Sequence, residues 1–265
     1  MSPMDRAQRE REAYDEQRVW ERCHQTHMRF RHVFECPNTR RGDRLYDDLL
    51  RRAVPGKRVL ELGCAEGTRS RTVASFGAAY VLGGDISEKF LAMARPHAIP
   101  GRLEFANLDF ARRIDGQFDV IFGSSVLHHL DYRPVMSRLY EDNLLPGGLM
   151  LFREPLGSNL MIRAWWWLGR SAHTPDERPL YRSDLQWLRR RFPTLRLRGV
   201  NYLSLPAAIV SSLLCSSADN RLLRWCDRAD HWLDTHCAWL VPRFRHSVLV
   251  IEKPQAASER PLRVQ

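Results

Sequence analysis

Lysine is nearly missing from this 265-residue chain: Lys57, Lys89 and Lys253 are three of its 41 basic residues, and the rest are arginine. The arginines are scattered, so the formal net charge of +10 reads first as a solvated surface. Attraction to nucleic acid, an anionic membrane or an acidic substrate stays open. Closely spaced cysteine pairs are also lacking. Cys23, Cys36, Cys64, Cys215, Cys226 and Cys237 match neither a zinc knuckle nor a redox dithiol. Cys23, His24 and His27 could share one helical turn, but no second ligand pair joins them, so no metal site is expected. Free thiols suit a reducing, cytoplasmic setting.

Long apolar runs are scarce as well. The charged residues that follow Met1-Ser2-Pro3 are not a secretory leader. Gly199 to Ala218 carries no charge, yet it contains Pro206 and five serines and begins like a strand. It is therefore expected to fold and not to span a bilayer. Internal repeats and low-complexity tracts are absent from the sequence.

What remains is a chain with 44% hydrophobic and 27% charged residues, enough for a core and too apolar for disorder. Its length suits one α/β domain with insertions or a small cap. Residues 1–57 place Val19, Met28, Phe30, Val33, Leu45, Leu49 and Leu50 at helical intervals, an N-terminal helical cap with a frayed start up to Asp15. From Lys57 short apolar strands alternate with helices. Strands are expected over Arg58 to Leu62, Tyr80 to Gly84, Leu103 to Ala106, Phe118 to Phe122 and Leu149 to Arg153. Helices are expected over Thr68 to Ser75, Glu88 to Arg95 and Pro134 to Leu145, the last closed by Pro146-Gly147-Gly148. This alternation implies parallel pairing with right-handed crossovers.

Residues 58–155 thus form a Rossmann-like core. Residues 156–254 add an apolar helix near Leu160 to Leu168, a helix from Asp184 to Phe192 boxed by Ser183 and Gln186, and two strands, Leu195 to Leu203 and Ser247 to Glu252. A helical insertion lies between these last strands. Its second helix carries Leu222, Trp225, Cys226, Ala229, Trp232, Leu233, Cys237 and Leu240 on one expected buried face. Residues 255–265 read as a flexible tail. The fold class is α/β: a doubly wound seven-stranded sheet, mostly parallel, with an antiparallel last strand.

The chemistry concentrates where the first strand meets the first helix, at Glu61-Leu62-Gly63-Cys64-Ala65-Glu66-Gly67. Small residues there let a backbone approach a ligand, and a helix N-terminus offers free N–H groups. A dinucleotide site would want three glycines and no acid on the strand. Glu61 instead favours a ligand with an ammonium group. Asp85 ends the second strand, where a carboxylate can accept from both ribose hydroxyls. Asn107-Leu108-Asp109 follows the third strand. Ser124-Ser125-Val126-Leu127-His128-His129-Leu130 follows the fourth.

These motifs, from Val59 to Pro155, resemble class I S-adenosylmethionine-dependent methyltransferases of the small-molecule group called type 11 or type 12. The run Thr174 to Leu180 resembles some bacterial members more weakly. The resemblance implies S-adenosyl-L-methionine as cofactor. Glu61, Gly63, Cys64 and Gly67 would surround its methionine part, Asp85 its ribose, Asn107 (or Asp109, with Leu108 between) its adenine, and Ser124 would lie alongside. Two positions depart from the family pattern: Ala65 replaces a glycine and Asn107 an aspartate.

His128 and His129 are candidate bases, since histidine titrates near neutrality, and Glu154 points toward the same crevice. Arg178 and Tyr181 are candidate lid residues. The implied reaction is methyl transfer to a small organic acceptor, hydrophobic or lipid-like, most simply at oxygen and in secondary or lipid-related metabolism. Three alternatives stay open: non-methyl-transfer chemistry on a quinone-like lipid, a non-catalytic cofactor-binding partner protein, and, less favoured for want of the Asn/Asp-Pro-Pro-aromatic motif, a nucleic-acid methyltransferase. Trp165-Trp166-Trp167 with Trp225, Trp232 and Trp239 suggests a covered core, a homodimer face, a substrate lid or, beside Arg221, Arg224, Arg228, Arg243 and Arg245, peripheral membrane contact.

Overall fold

Strand β1 (Arg58–Leu62) is buried on both faces after its first residue, the mark of a central parallel strand. In this computed structural model, which describes residues 6–15, 25, 28–163 and 177–255, six further strands join it. They are β2 (Tyr80–Asp85), β3 (Leu103–Asn107), β4 (Phe118–Ser124), β5 (Leu144–Pro155), β6 (Arg196–Val200) and β7 (His246–Glu252). The order is β3-β2-β1-β4-β5-β7-β6. The pairs from β3 to β5 are parallel, and β7 runs antiparallel to both its neighbours. The doubly wound seven-stranded sheet expected from the alternation is the sheet observed.

Strand periodicity sorts the core into two layers. Val59, Val81, Val120, Leu151 and Val250 pack with Tyr46 and Leu50 of α3 (Pro37–Ala53) on one face. Leu60, Ile121, Met150, Phe152 and Leu249 pack on the other. Helices α1 (Arg6–Asp15) and α2 (Arg31–Glu35) precede α3, and α4 (Thr68–Ser75), α5 (Glu88–Ala94) and α6 (Tyr132–Arg138) are crossover helices. Helix α6 ends earlier than the sequence predicts. It passes into a π turn over Leu139–Asn143, and β5 already begins at Leu144.

The later elements differ more. Helix α7 (Arg182–Arg191) starts after Tyr181, whose N–H donates to Asp184 at 2.9 Å, so Asp184 and not Ser183 with Gln186 closes its first turn. The expected long strand from Leu195 stops at Val200. Asn201 turns the chain with φ of 62°, and α8 (Ser204–Leu214) follows. Eleven residues at about 1.5 Å each cannot cross an apolar layer of about 30 Å. No helix among the described residues is long and apolar enough to cross a membrane.

Helix α9 (Arg221–His236) overturns its expected face. It buries Leu223, Cys226, Asp227, Asp230 and Asp234, while Trp225 (61% exposed) and Trp232 (56%) face outward with Leu222. Each buried aspartate has fixed partners. Asp227 accepts from Arg41 and Asn38, Asp230 from the N–H groups of Tyr202, Leu203 and Ser204, and Asp234 from Arg198 and the Gly199 N–H. Polar pairing therefore set the rotation of this helix against its apolar stripe. Val19, Cys23, His24, His27, the Trp165-Trp166-Trp167 run, Thr174 to Asp176 and most of the expected tail lie outside the described residues.

Candidate active site

The carboxyl ends of β1, β2 and β4 open on a cavity of about 430 Å³. Open α/β sheets place ligands here, where the connections leave β1 in opposite directions. Of the expected cofactor positions Gly63, Asp85, Leu108, Asp109 and Ser124 line it, with Ala65 beside them, while Glu61, Cys64, Gly67 and Asn107 are not in its wall. The turn after β1 is tightly wound. Gly63 has φ of 68° and Gly67 of 79°, and a Cβ on Gly67 would meet the Phe105 ring at 2.7 Å. Ala65, with φ of 45°, holds the same left-handed conformation without glycine's freedom.

Asp85 ties the two turns together. Its Oδ2 accepts from the Ala65 N–H at 2.8 Å and its Oδ1 from the Ser87 N–H at 2.9 Å. Burial raises its pKa, against the pull of these N–H donors. Glu61 lies deeper and accepts from the Ser70 hydroxyl. Burial pushes its carboxyl up to about 8, the Ser70 bond opposing. A carboxyl in that state gains most from a neighbouring cation. Cys64 is buried beside the turn, with a thiol raised by burial.

Asn107 is not brought to the cavity. It is exposed, and its amide donates to the Ile86 carbonyl at 3.0 Å. Asp109 lines the wall in its place and caps its own turn through the Ala111 N–H at 2.9 Å.

The two histidines have different surroundings. His128 is buried, with Nδ1 at 2.7 Å from Glu154 and Nε2 at 3.5 Å from Glu177. Burial would lower its pKa, but the hydrogen bonds to Glu154 and Glu177 outweigh it and bring it to about 9. Glu154 is fully buried and also accepts from the Val126 and Leu127 N–H groups, both at 2.9 Å. It is the anchor of the loop after β4. His129 does line the cavity. Its Nδ1 is 3.1 Å from Glu10 and its Nε2 is 3.1 Å from the Tyr14 hydroxyl. One ring nitrogen of each histidine and one Glu177 oxygen lie within 4.8 Å of one another, a set that could hold a divalent ion although the sequence pointed to none.

Glu10, Tyr14 and Arg6 come from α1, a segment whose sequence suggests a frayed start. Their spacing of four residues puts them on one helical face. Arg6 fastens that face by donating to the His129 carbonyl at 2.8 Å. The only signal was this spacing, hidden in a segment dominated by charge. The lid candidates serve elsewhere. Arg178 pairs with Asp184 at 2.7 Å, and Tyr132 and Arg133 bind the same carboxylate. Burial would raise Asp184, but Arg178, the Tyr181 N–H, Tyr132 and Arg133 hold it down to about 2. Arg178 and Tyr181 thus build the start of α7.

A profile of the methyltransferase domain matches residues 38–192, more than half of the chain. The chain belongs to the methyltransferase-domain family. Among curated relatives of this methyltransferase-domain protein is the ubiquinone biosynthesis O-methyltransferase of Ruegeria pomeroyi, 33% identical over 147 residues, covering 48% of this chain and 58% of that one. The chain spans about half the length of the curated relatives it matches. A methyltransferase structure from Mesorhizobium loti, described as S-adenosylmethionine dependent, superposes with a TM-score of 0.52 at 20% identity, covering 77% of this chain and 96% of that one. Phosphoethanolamine N-methyltransferase 2 of Haemonchus contortus, solved with phosphomonomethylethanolamine and S-adenosylhomocysteine, reaches 0.55 at 17% identity, covering 78% and 52%. At these identities the likeness establishes the fold, that of class I methyltransferases.

Proposed function

We propose that the protein is an S-adenosylmethionine-dependent methyltransferase acting on a small organic acceptor, with oxygen as the methylated atom. The observation that carries this reading is the convergence of Gly63, Ala65, Asp85, Asp109 and Ser124 on one cavity of about 430 Å³ beside a proton-accepting pair, Tyr14 and His129. The volume falls within the usual range for cofactor sites. Asp85 has lone pairs left for ribose hydroxyls, Glu61 a carboxyl that a ligand ammonium would ionise, and Leu108, Phe110 and Phe90 an apolar wall for a base. The residues present therefore fit the cofactor, while Asn107 is left out of its binding.

Bound S-adenosylmethionine supplies an electrophilic methyl group whose leaving group is a neutral thioether. The chain must then align an acceptor and take up one proton. His129, oriented by Glu10, would take up the proton that the acceptor hydroxyl gives up, directly or through Tyr14. Glu154 and His128 hold the loop that carries His129. Ubiquinone biosynthesis O-methyltransferases among the relatives support an oxygen acceptor.

Calorimetry with S-adenosylmethionine tests the premise. Wild type should bind, and Asp85→Ala should bind about 100-fold more weakly, the loss expected for one charge-assisted contact or two. Equal affinity of the two proteins would move the cofactor elsewhere. A labelled methyl group transferred in extract of the source organism would name the acceptor.

The outward ridge of Leu222, Trp225 and Trp232, flanked by Arg221, Arg224 and Arg228, supports contact with an anionic lipid surface as part of this reading. Sedimentation with vesicles containing anionic lipid should carry down wild type and leave Trp225→Ser with Trp232→Ser in solution. A stable dimer in solution that the same substitutions dissociate would give the ridge to a second copy instead.

A further inference from the structure

The carboxyl edge of the sheet continues past the cavity onto β5 and β7, and its charge changes sign there. Arg153 lies near the end of β5 beside Ser124, and its carbonyl accepts from the Ser125 N–H at 2.8 Å. Ser124 and Ser125 line the cavity, so Arg153 sits one strand from the reacting region. His246 opens β7 and pairs with Pro155, two residues along β5. Arg245 precedes it.

Arg245 is only 6% exposed. Among the described residues no carboxylate pairs with it. Its side chain meets the Val33 carbonyl at 3.4 Å, a weak contact, and the Phe34 ring at 4.7 Å. Burial and nearby Arg153 pull its guanidinium down to about 10, with Cys36 and Asp43 pulling the other way. Arg153 spends one nitrogen on Asp43, while its Nε is buried without a hydrogen-bond partner. His246 Nδ1 is a second orphan of the same kind. Burial, Arg245, Arg153 and His128 together keep that imidazole far below its usual range. A buried guanidinium without a counter-ion is costly, several kcal/mol by general experience. Two adjacent guanidiniums, two orphaned polar atoms and one carboxylate leave this corner one negative charge short.

We propose that Arg245 and Arg153, with His246, form the subsite for an anionic group of the methyl acceptor, a carboxylate or a phosphate. Arg245 is the principal contact, because Asp43 already engages Arg153. The guanidinium forks match either oxyanion bidentately. An acceptor anchored there would lie beside the strand end that carries Ser124 and Ser125, which line the cavity with His129. This assignment rests on the methyltransferase reading for the name of the ligand, but the anion site stands on the geometry of Arg245, Arg153 and His246 alone.

The test is a melting and calorimetric titration of the full chain with two matched pairs: hydroxybenzoate against its methyl ester, and hydroxyphenyl phosphate against the corresponding diol. Both are run with and without S-adenosylhomocysteine. The anionic member of at least one pair should bind 10-fold or more tighter than its neutral partner, and the better pair tells carboxylate from phosphate. In Arg245→Met the preference should fall below about 2-fold, and Arg245→Lys should restore part of it. The melting temperature of ligand-free Arg245→Met should stay at or above that of wild type, since a purely structural arginine would lower it. Equal binding of anionic and neutral members by wild type overturns the proposal, whether or not Arg245→Met folds. Anion preference without S-adenosylhomocysteine binding would keep the subsite and sink the methyltransferase reading. Cofactor binding without anion preference would do the reverse.

Discussion

Two buried clusters share the carboxyl edge of this sheet, and they are matched to opposite degrees. Around His128, His129, Glu154, Glu10 and Tyr14 the polar contacts run from 2.7 to 3.1 Å, with a longer one of 3.5 Å between His128 and Glu177. Around Arg245, Arg153 and His246 two atoms are orphaned and one guanidinium forms no ion pair among the described residues. Low-dielectric surroundings make the first arrangement rigid and the second expensive. A satisfied cluster holds a loop in place. An unsatisfied one is completed by something that arrives.

The largest effect should separate the two clusters by stability. Glu154→Ala removes the acceptor of two N–H groups and of a buried histidine, so denaturant unfolding should reveal a loss of about 3–5 kcal/mol. Arg245→Met should cost nothing measurable. Similar losses in both would erase the distinction.

Next comes turnover. His129→Ala should reduce kcat by about 100-fold or more while S-adenosylmethionine affinity changes less than about 3-fold. His128→Asn should act chiefly on stability. If His128→Asn slows transfer more than His129→Ala at equal folded fraction, the roles are reversed.

The pH response is smaller and has a definite sign. His128 holds its proton up to about 9 in the folded state and to about 6.5 in an unfolded chain. Its contribution is therefore full below about 6.5 and lost as pH rises through about 9. Glu61, raised to about 8, adds a fall in the same direction at lower pH. Melting curves between these limits should drop with pH in wild type, and less steeply in His128→Asn.

The smallest expected change is Ala65→Gly, a gain of about 1 kcal/mol, because φ of 45° is strained for any side chain. A loss on thermal unfolding would mean that the Ala65 methyl packs usefully.

The parallel core was legible because its signals are local. Val59 to Leu62 must be buried on both faces, Gly63 and Gly67 must turn the chain, and Asp85 must end β2 within reach of that turn. Each follows from periodicity or from φ, and all were placed to within a residue or two. Asn107 failed because strand position fixes a backbone and not the direction of a side chain. Its amide found the Ile86 carbonyl nearby.

By itself, then, the amino-acid order determined the sheet, the glycine turn after β1 and the histidine pair. Tertiary structure alone decided which histidine faces the cavity, since Glu10 and Tyr14 reach His129 from more than a hundred residues away. It also decided that α9 buries its aspartates and leaves Trp225 and Trp232 outside, because partners on other elements outweighed the apolar stripe. The uncompensated charge at Arg245 belongs to the same class. A deficit of one carboxylate is a property of what surrounds a residue, and that is settled only when distant strands meet.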